Sequence, residues 1–333
     1  MRLNAAYPVL LTFLTLALAG CRQEPLTANG NVIRFSVSYA DISSASTKAD
    51  LPTVKDPQNY LEVDKTTVPV WGYLQKSGEA ARNVFNDKFL SLKFYENSNS
   101  WDYEGEYYWD QSATYQFRSV FTKGHEKYSG DADKVSITYD GYPDDYDLMV
   151  AATSVPSGDS QRANLQFRHA CSAVRFFCVD PTRGNSTSAN YTLTSFSLKN
   201  VVTAGTLTFD GTSTASSTAV NGWSLGAKVA EVYSLPSPKD VPSNTGAAEA
   251  AALTEDWFYF VPQDLSAAEI VFSFKVKETG QTVDVTRNLK ALTATWEAGK
   301  IYSYFIVIQP TDIQFDAKWS DWGTTETYTF TKN

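Results

Sequence analysis

Short apolar runs that alternate with polar residues at every second position recur along almost the whole chain, each closed by Gly, Pro, Asn, Asp or Ser. That spacing is the period of a half-buried β-strand, and no stretch sustains the 3.6-residue period of an amphipathic helix. The first run is Ile33-Phe35-Val37-Tyr39. Others fall at 68–74, 89–95, 115–121, 135–139 and 146–152, and, beyond a polar break at 153–163, at 165–179, 191–200, 205–209, 257–261, 269–276, 282–289 and 300–309. Residues 41–67 and 211–222 read as loops, and the Pro- then Ala-rich stretch 234–252 has room for one helical turn. Many short strands with regular turn signals predict an all-β chain built of β-sandwiches. Two in tandem are expected, spanning 31–160 and 161–333 with a seam near residue 160.

The start of the chain carries a different signal. Arg2 precedes the apolar run Val9 to Ala19, which is too short to span the ~30 Å of a bilayer's hydrocarbon. Leu18-Ala19-Gly20-Cys21 follows, small residues ahead of a thiol, and resembles a bacterial lipobox. Residues 1–20 are therefore expected to be a signal peptide cut before Cys21. Acyl chains on that cysteine would anchor the body, at ~0.8 kcal/mol for each buried methylene. The polar, turn-rich residues 21–30 read as a tether.

Composition bounds the rest. A hydrophobic content of 43%, with 14% aromatic, is ample for a core. The formal charge of −9 and the absence of any Lys/Arg cluster make nucleic acid an unsuitable partner. With Cys21 lipidated, only Cys171 and Cys178 remain. Seven residues of strand cover ~23 Å, whereas a disulfide needs Cα atoms within ~7 Å. Two buried, unpaired thiols are expected.

Catalytic and metal-binding patterns are weak. His125 sits in a polar turn and His169 in a strand-like run, with no HxH, HExxH or CxxC spacing. The acidic turn Asp140 to Asp147 lacks the spacing of a calcium loop and its distal glutamate. No GxSxG or Gly-rich phosphate loop occurs, and nothing favours a carboxylate pair for sugar hydrolysis. No enzyme activity, metal or cofactor is expected. The aromatics Trp101, Tyr103, Tyr107, Tyr108, Trp109 and Tyr115 read first as sandwich core. The alternative is a monomeric surface lipoprotein that stacks glycans on the exposed faces of the first five.

Several segments, taken in order, point to a family. They are the lipobox, Val32-Ile33-Arg34-Phe35, the block from Tyr107-Tyr108-Trp109 to Phe117, and Tyr146-Asp147-Leu148-Met149-Val150-Ala151. Leu165-Gln166-Phe167-Arg168-His169-Ala170, Val261-Pro262-Gln263 and the run Trp296 to Tyr304 follow. In these the chain resembles the fimbrillin (Mfa-like) family, type V pilus lipoproteins of Bacteroidetes. The resemblance implies transthyretin-like sandwiches and an outer-membrane lipoprotein at the cell surface. It also implies a pilus subunit, shaft or tip, that associates with other pilin subunits and adheres to a host or bacterial surface. Assembly in that family is by donor-strand exchange, after a trypsin-like cut frees the first strand. Many relatives carry Thr-Arg-Ala at the cut; here Thr47-Lys48-Ala49 stands there, and Lys48 keeps the positive charge.

The tail fits the same mechanism. After Pro310, Ile313, Phe315, Ala317 and Trp319 alternate with Gln314, Asp316 and Lys318, and Trp322, Tyr328 and Phe330 follow. Residues 311–333 are thus a candidate donor strand, able to fill a neighbour's groove by β-augmentation. The other reading makes the tail the last strand of its own domain.

Overall fold

The computed structural model describes residues 32–39, 66–85, 89–122, 128–131, 134–140, 147–156, 158, 162–181, 190–210, 222–243, 251–253, 257–309 and 313–321. Cys21, Lys48, His125 and the end of the tail beyond residue 321 lie outside these. The chain is all-β, with no α-helix among the described residues.

The largest sheet has eight strands. Along its path run Phe35–Tyr39, Ala163–His169, Met149–Val155, Ala113–Phe121, Thr67–Lys76, Leu90–Tyr95 and Ser100–Asp102, with Arg82–Asn83 paired to Thr67–Lys76. Every neighbour is antiparallel except the first pair: Phe35–Tyr39 runs parallel to Ala163–His169. One face of the sheet is buried along its length and the other only over its central strands, so those strands sort their side chains between two cores. Val68, Val70, Leu74, Tyr115, Phe117 and Ala151 face one core with Ile33 and Phe35, while Trp71, Val120 and Val150 face another. Gly72 allows the first core to close. A Cβ there would stand 2.8 Å from the Phe117 ring and 2.9 Å from Phe85.

The second core is covered by a four-stranded antiparallel sheet of Tyr128–Asp131, Lys134–Tyr139, Gly205–Asp210 and Trp223–Leu225. Val135, Ile137, Tyr139 and Leu207 supply its inner face. The expected seam near 160 falls between Met149–Val155 and Ala163–His169, which are adjacent in one sheet. Strand pairing crosses it again at Gly205–Asp210.

Two five-stranded sheets enclose the remaining core. One contains Ala251–Ala252, Ser172–Val179, Lys300–Ile308 and Ile313–Asp321, with Phe258–Phe260 also on Ser172–Val179. The other contains Tyr233–Ser234, Tyr191–Lys199, Glu269–Val276 and Thr282–Asn288, with Lys239–Asp240 also on Tyr191–Lys199. Phe176, Cys178, Tyr304 and Ile306 meet Leu193, Phe196, Ile270 and Phe272 between them. Residues 234–252, where one helical turn had room, form only short strand pieces among their described residues.

The apolar run 165–179 is not one strand. It breaks at Ala170-Cys171, so that Ala163–His169 belongs to the eight-stranded sheet and Ser172–Val179 to a five-stranded one. Backbone bonds hold the bend: Ala170 N–H donates to Leu148 O at 2.8 Å, and Gly299 N–H to Cys171 O at 3.0 Å. Cys171 and Cys178 are both buried and unpaired, as expected, but in different cores.

Candidate functional site

The eight-stranded sheet curls until its two ends approach, and the first strand is the stave that nearly closes it. On one side Phe35–Tyr39 pairs with Ala163–His169, from Phe35 opposite Ala163 to Tyr39 opposite Phe167. On the other it meets the segment that follows Ser100–Asp102. Tyr103 Oη donates to Ile33 O at 2.5 Å, Ile33 N–H donates to Tyr107 O at 2.7 Å, and Val32 bridges to Tyr108. Arg34 reaches Asp102 at 2.7 Å, with both side chains well exposed. Inside, Ile33 and Phe35 are 0% and 1% exposed. Phe35 presents its ring edgewise to Phe117 at 5.1 Å and to Tyr103 at 6.1 Å.

That geometry accounts for the aromatic cluster. Tyr103 and Trp109 are buried, Trp101 and Tyr107 half-buried, and only Tyr108 is broadly exposed. Tyr103 and Tyr107 wall the first strand's slot, and Trp109 packs edge-on against Tyr115 at 4.7 Å. Two of the five aromatics considered for glycan stacking therefore have their faces in the core. Burial pushes the Tyr103 phenol up to about 12, because the charged form would lose its water.

At the far end of the chain, Ile313–Asp321 pairs antiparallel with Lys300–Ile308, from Ile308 opposite Ile313 to Lys300 opposite Asp321. Among the described residues it is the edge of its sheet. Ile313, Phe315 and Ala317 are only half-buried at the margin of the core, and Trp319 is 53% exposed. Phe315 lies 5.7 Å from the Phe272 ring, with the Arg287 guanidinium over its face. Within its own chain, then, the tail is the last strand of its sheet.

The model of a family described as fimbrillin-like matches residues 56–322. The chain belongs to the fimbrillin-like family. Among solved structures, one has a comparable architecture. A fimbrial protein from Bacteroides vulgatus ATCC 8482 superposes with a TM-score of 0.56 at 13% identity, covering 88% of this chain and 100% of its own. At that identity the likeness bears on the fold alone. A fimbrial assembly protein from Parabacteroides distasonis ATCC 8503 superposes at 0.45, with 10% identity over 90% of this chain and 98% of its own. No curated protein matches the chain. The matched region of this fimbrillin-like chain includes the tail strand and begins after the first strand.

The late sequence motifs have structural roles. Gln263 spans Val202, its side chain accepting from Val202 N–H and donating to Val202 O, both at 2.8 Å. The Trp296 indole donates to Tyr304 Oη at 2.9 Å. His169 forms a buried pair with Asp147, Nδ1 to Oδ2 at 2.6 Å, at the end of Ala163–His169. Burial raises the thiols of Cys171 and Cys178, which removes them as nucleophiles. Among the described residues no three His, Cys, Asp or Glu side chains gather as a metal site would need, and no helix is long and apolar enough to cross a membrane.

Sequence reasoning missed the lock on the first strand. Arg34 and Asp102 are 68 positions apart, and the partners of Ile33 are a phenol and a backbone carbonyl that follow the last strand at the opposite end of the sheet path. The one available signal was the density of tyrosines between 103 and 108, since a buried Tyr requires a hydrogen-bond acceptor.

Proposed function

We propose that this chain is a structural subunit, shaft or tip, of a cell-surface pilus that serves adhesion. In this reading it is exported as a lipoprotein, held to the outer membrane through Cys21, and assembled by protease-triggered donor-strand exchange. A cut after Lys48 severs the first strand from the rest of the chain. The first strand leaves its slot, and the tail strand of another subunit enters.

The observation that carries this reading is the first strand's position. It is a single edge stave, buried on its inner face and secured along both sides. Its departure would uncover Phe117 and Leu165 of the core and leave backbone groups unpaired, a combination that favours capture of another strand. The tail offers such a strand: an edge element with one apolar row that its own sheet buries only in part. Family membership supports a fimbrial role.

Limited trypsin treatment of the chain, followed by negative-stain microscopy and unheated gel electrophoresis, tests it. Removal of residues up to about Lys48 should produce filaments and heat-labile ladders of regular spacing. A cut protein that stays monomeric, with its slot empty, would sink the proposal.

A further inference from the structure

The two ends of the chain carry the same apolar spacing. Ile33-Arg34-Phe35-Ser36-Val37-Ser38-Tyr39 and Ile313-Gln314-Phe315-Asp316-Ala317-Lys318-Trp319 agree at every second position: Ile with Ile, Phe with Phe, Val with Ala, Tyr with Trp. We infer that the occupant of the vacated slot is residues 313–319 of a second copy of this chain, parallel to Ala163–His169, with Ile313 in the place of Ile33 and Phe315 in that of Phe35. This rests on the strand-exchange reading above and adds its partner, direction and register.

Side-chain volume decides among the registers. A slip of one residue would turn Gln314, Asp316 and Lys318 into the core and the apolar row to solvent. A slip of two in one direction would set Ala317 where Phe35 packs edgewise on Phe117, leaving a cavity the size of a ring. The reversed direction would force Trp319 into the fully buried place of Ile33 and Ala317 into that of Phe35. Only the parallel, unshifted arrangement returns like for like.

The locks on the slot's backbone do not oppose the exchange. Tyr103 Oη reaches a carbonyl, Tyr107 O receives an N–H, and Ala163 N–H donates to the carbonyl of residue 34 at 2.8 Å. Any residue except proline presents those groups. The one side-chain ion pair forfeited is Arg34 with Asp102, since Gln314 stands in for the arginine. Its side chains are 37% and 51% exposed, so solvent already screens it.

Cysteine scanning reads the register. In the structure Ser38 is the partner of Gln166, so the inferred register sets Lys318 of the donor opposite Gln166 of the acceptor. Mature chains carrying Cys21→Ser are prepared in two pools, one with Gln166→Cys and the other with a single tail cysteine. They are mixed, treated with trypsin, oxidised mildly and run on a non-reducing gel. Lys318→Cys should give at least tenfold more mixed dimer than Gln314→Cys, Asp316→Cys or Ser320→Cys. A maximum at 314 would mean reversed insertion, and one at 316 or 320 a slip of two; either overturns the inference while strand exchange stands. Filaments without any tail cross-link would show that another segment fills the slot, which also overturns it. No filaments and no cross-links would sink both this inference and the pilus reading.

Discussion

The first strand and the tail strand share an apolar pattern but are held by different forces. The tail strand has nine residue pairs against Lys300–Ile308, and its apolar row is only half-buried. The first strand has five pairs with Ala163–His169, yet Ile33 and Phe35 are buried almost completely. A net backbone hydrogen bond contributes ~0.5–1.5 kcal/mol, and full burial of an Ile or Phe side chain ~1.5–3 kcal/mol. The tail is thus held chiefly by its ladder and the first strand chiefly by its side chains. A longer ladder on the tail means that an intact chain has no reason to exchange strands. The exchange becomes favourable once the first strand has gone and its pockets stand open, which gives the proposed cut a thermodynamic role.

Truncation of the matched phenylalanines breaks or upholds that contrast most directly. Phe35→Ala should cost about 3–5 kcal/mol in urea unfolding, the range for emptying a packed aromatic site. Phe315→Ala should cost roughly 1–1.5 kcal/mol, about half of a full side-chain burial. Equal losses would mean that the two strands are held alike. The next effect in size is at Gly72. An added methyl meets Phe117 and Phe85 at under 3 Å, and overpacking of this kind costs ~1–3 kcal/mol. Because Phe117 packs on Phe35, Gly72→Ala should also speed release of the trypsin-cut N-terminal fragment, followed by gel filtration. An unchanged release rate would show that the slot adapts without loosening.

How far the sequence foretells this depends on the range of each interaction. Strands with one row facing water, such as Leu90–Tyr95 and Glu269–Val276, announce themselves by alternation. The bend at Ala170-Cys171 does not, because Ser172–Val179 is buried on both faces and apolar residues continue across the bend with no Gly, Pro, Asn or Asp to mark it. Two-residue strands such as Val201–Val202 are too short to have a period. At the candidate site, both edge strands were legible as alternating runs. The parallel partner of the first strand and the lock from Tyr103 and Tyr107 were not, for they depend on a sheet curling until residues about 70 apart touch. The aromatics of 101–109 were legible as core, though not as the wall of one particular slot.

The smallest predicted effects concern that lock, and their order tests whether backbone or side-chain contacts secure the first strand. Tyr103→Phe keeps the ring and removes the bond to Ile33 O together with the phenol's backbone contact to Tyr107. That leaves a buried carbonyl short of a partner, a loss of about 1–1.5 kcal/mol. The same substitution should flatten the alkaline limb of the stability curve. With its folded value raised to about 12 from 10.0, Tyr103 favours folding fully below pH 10, and that contribution fades as pH climbs toward 12. Arg34→Ala removes an exposed ion pair, for which ~0–1 kcal/mol is usual. The loss should shrink further in 1 M salt, where exposed charges are screened within ~3 Å. A larger loss for Arg34→Ala than for Tyr103→Phe would mean that the slot reads the side chain at position 34. Since the tail has Gln314 at the matching position, a second copy's tail would then be a poor substitute for the first strand.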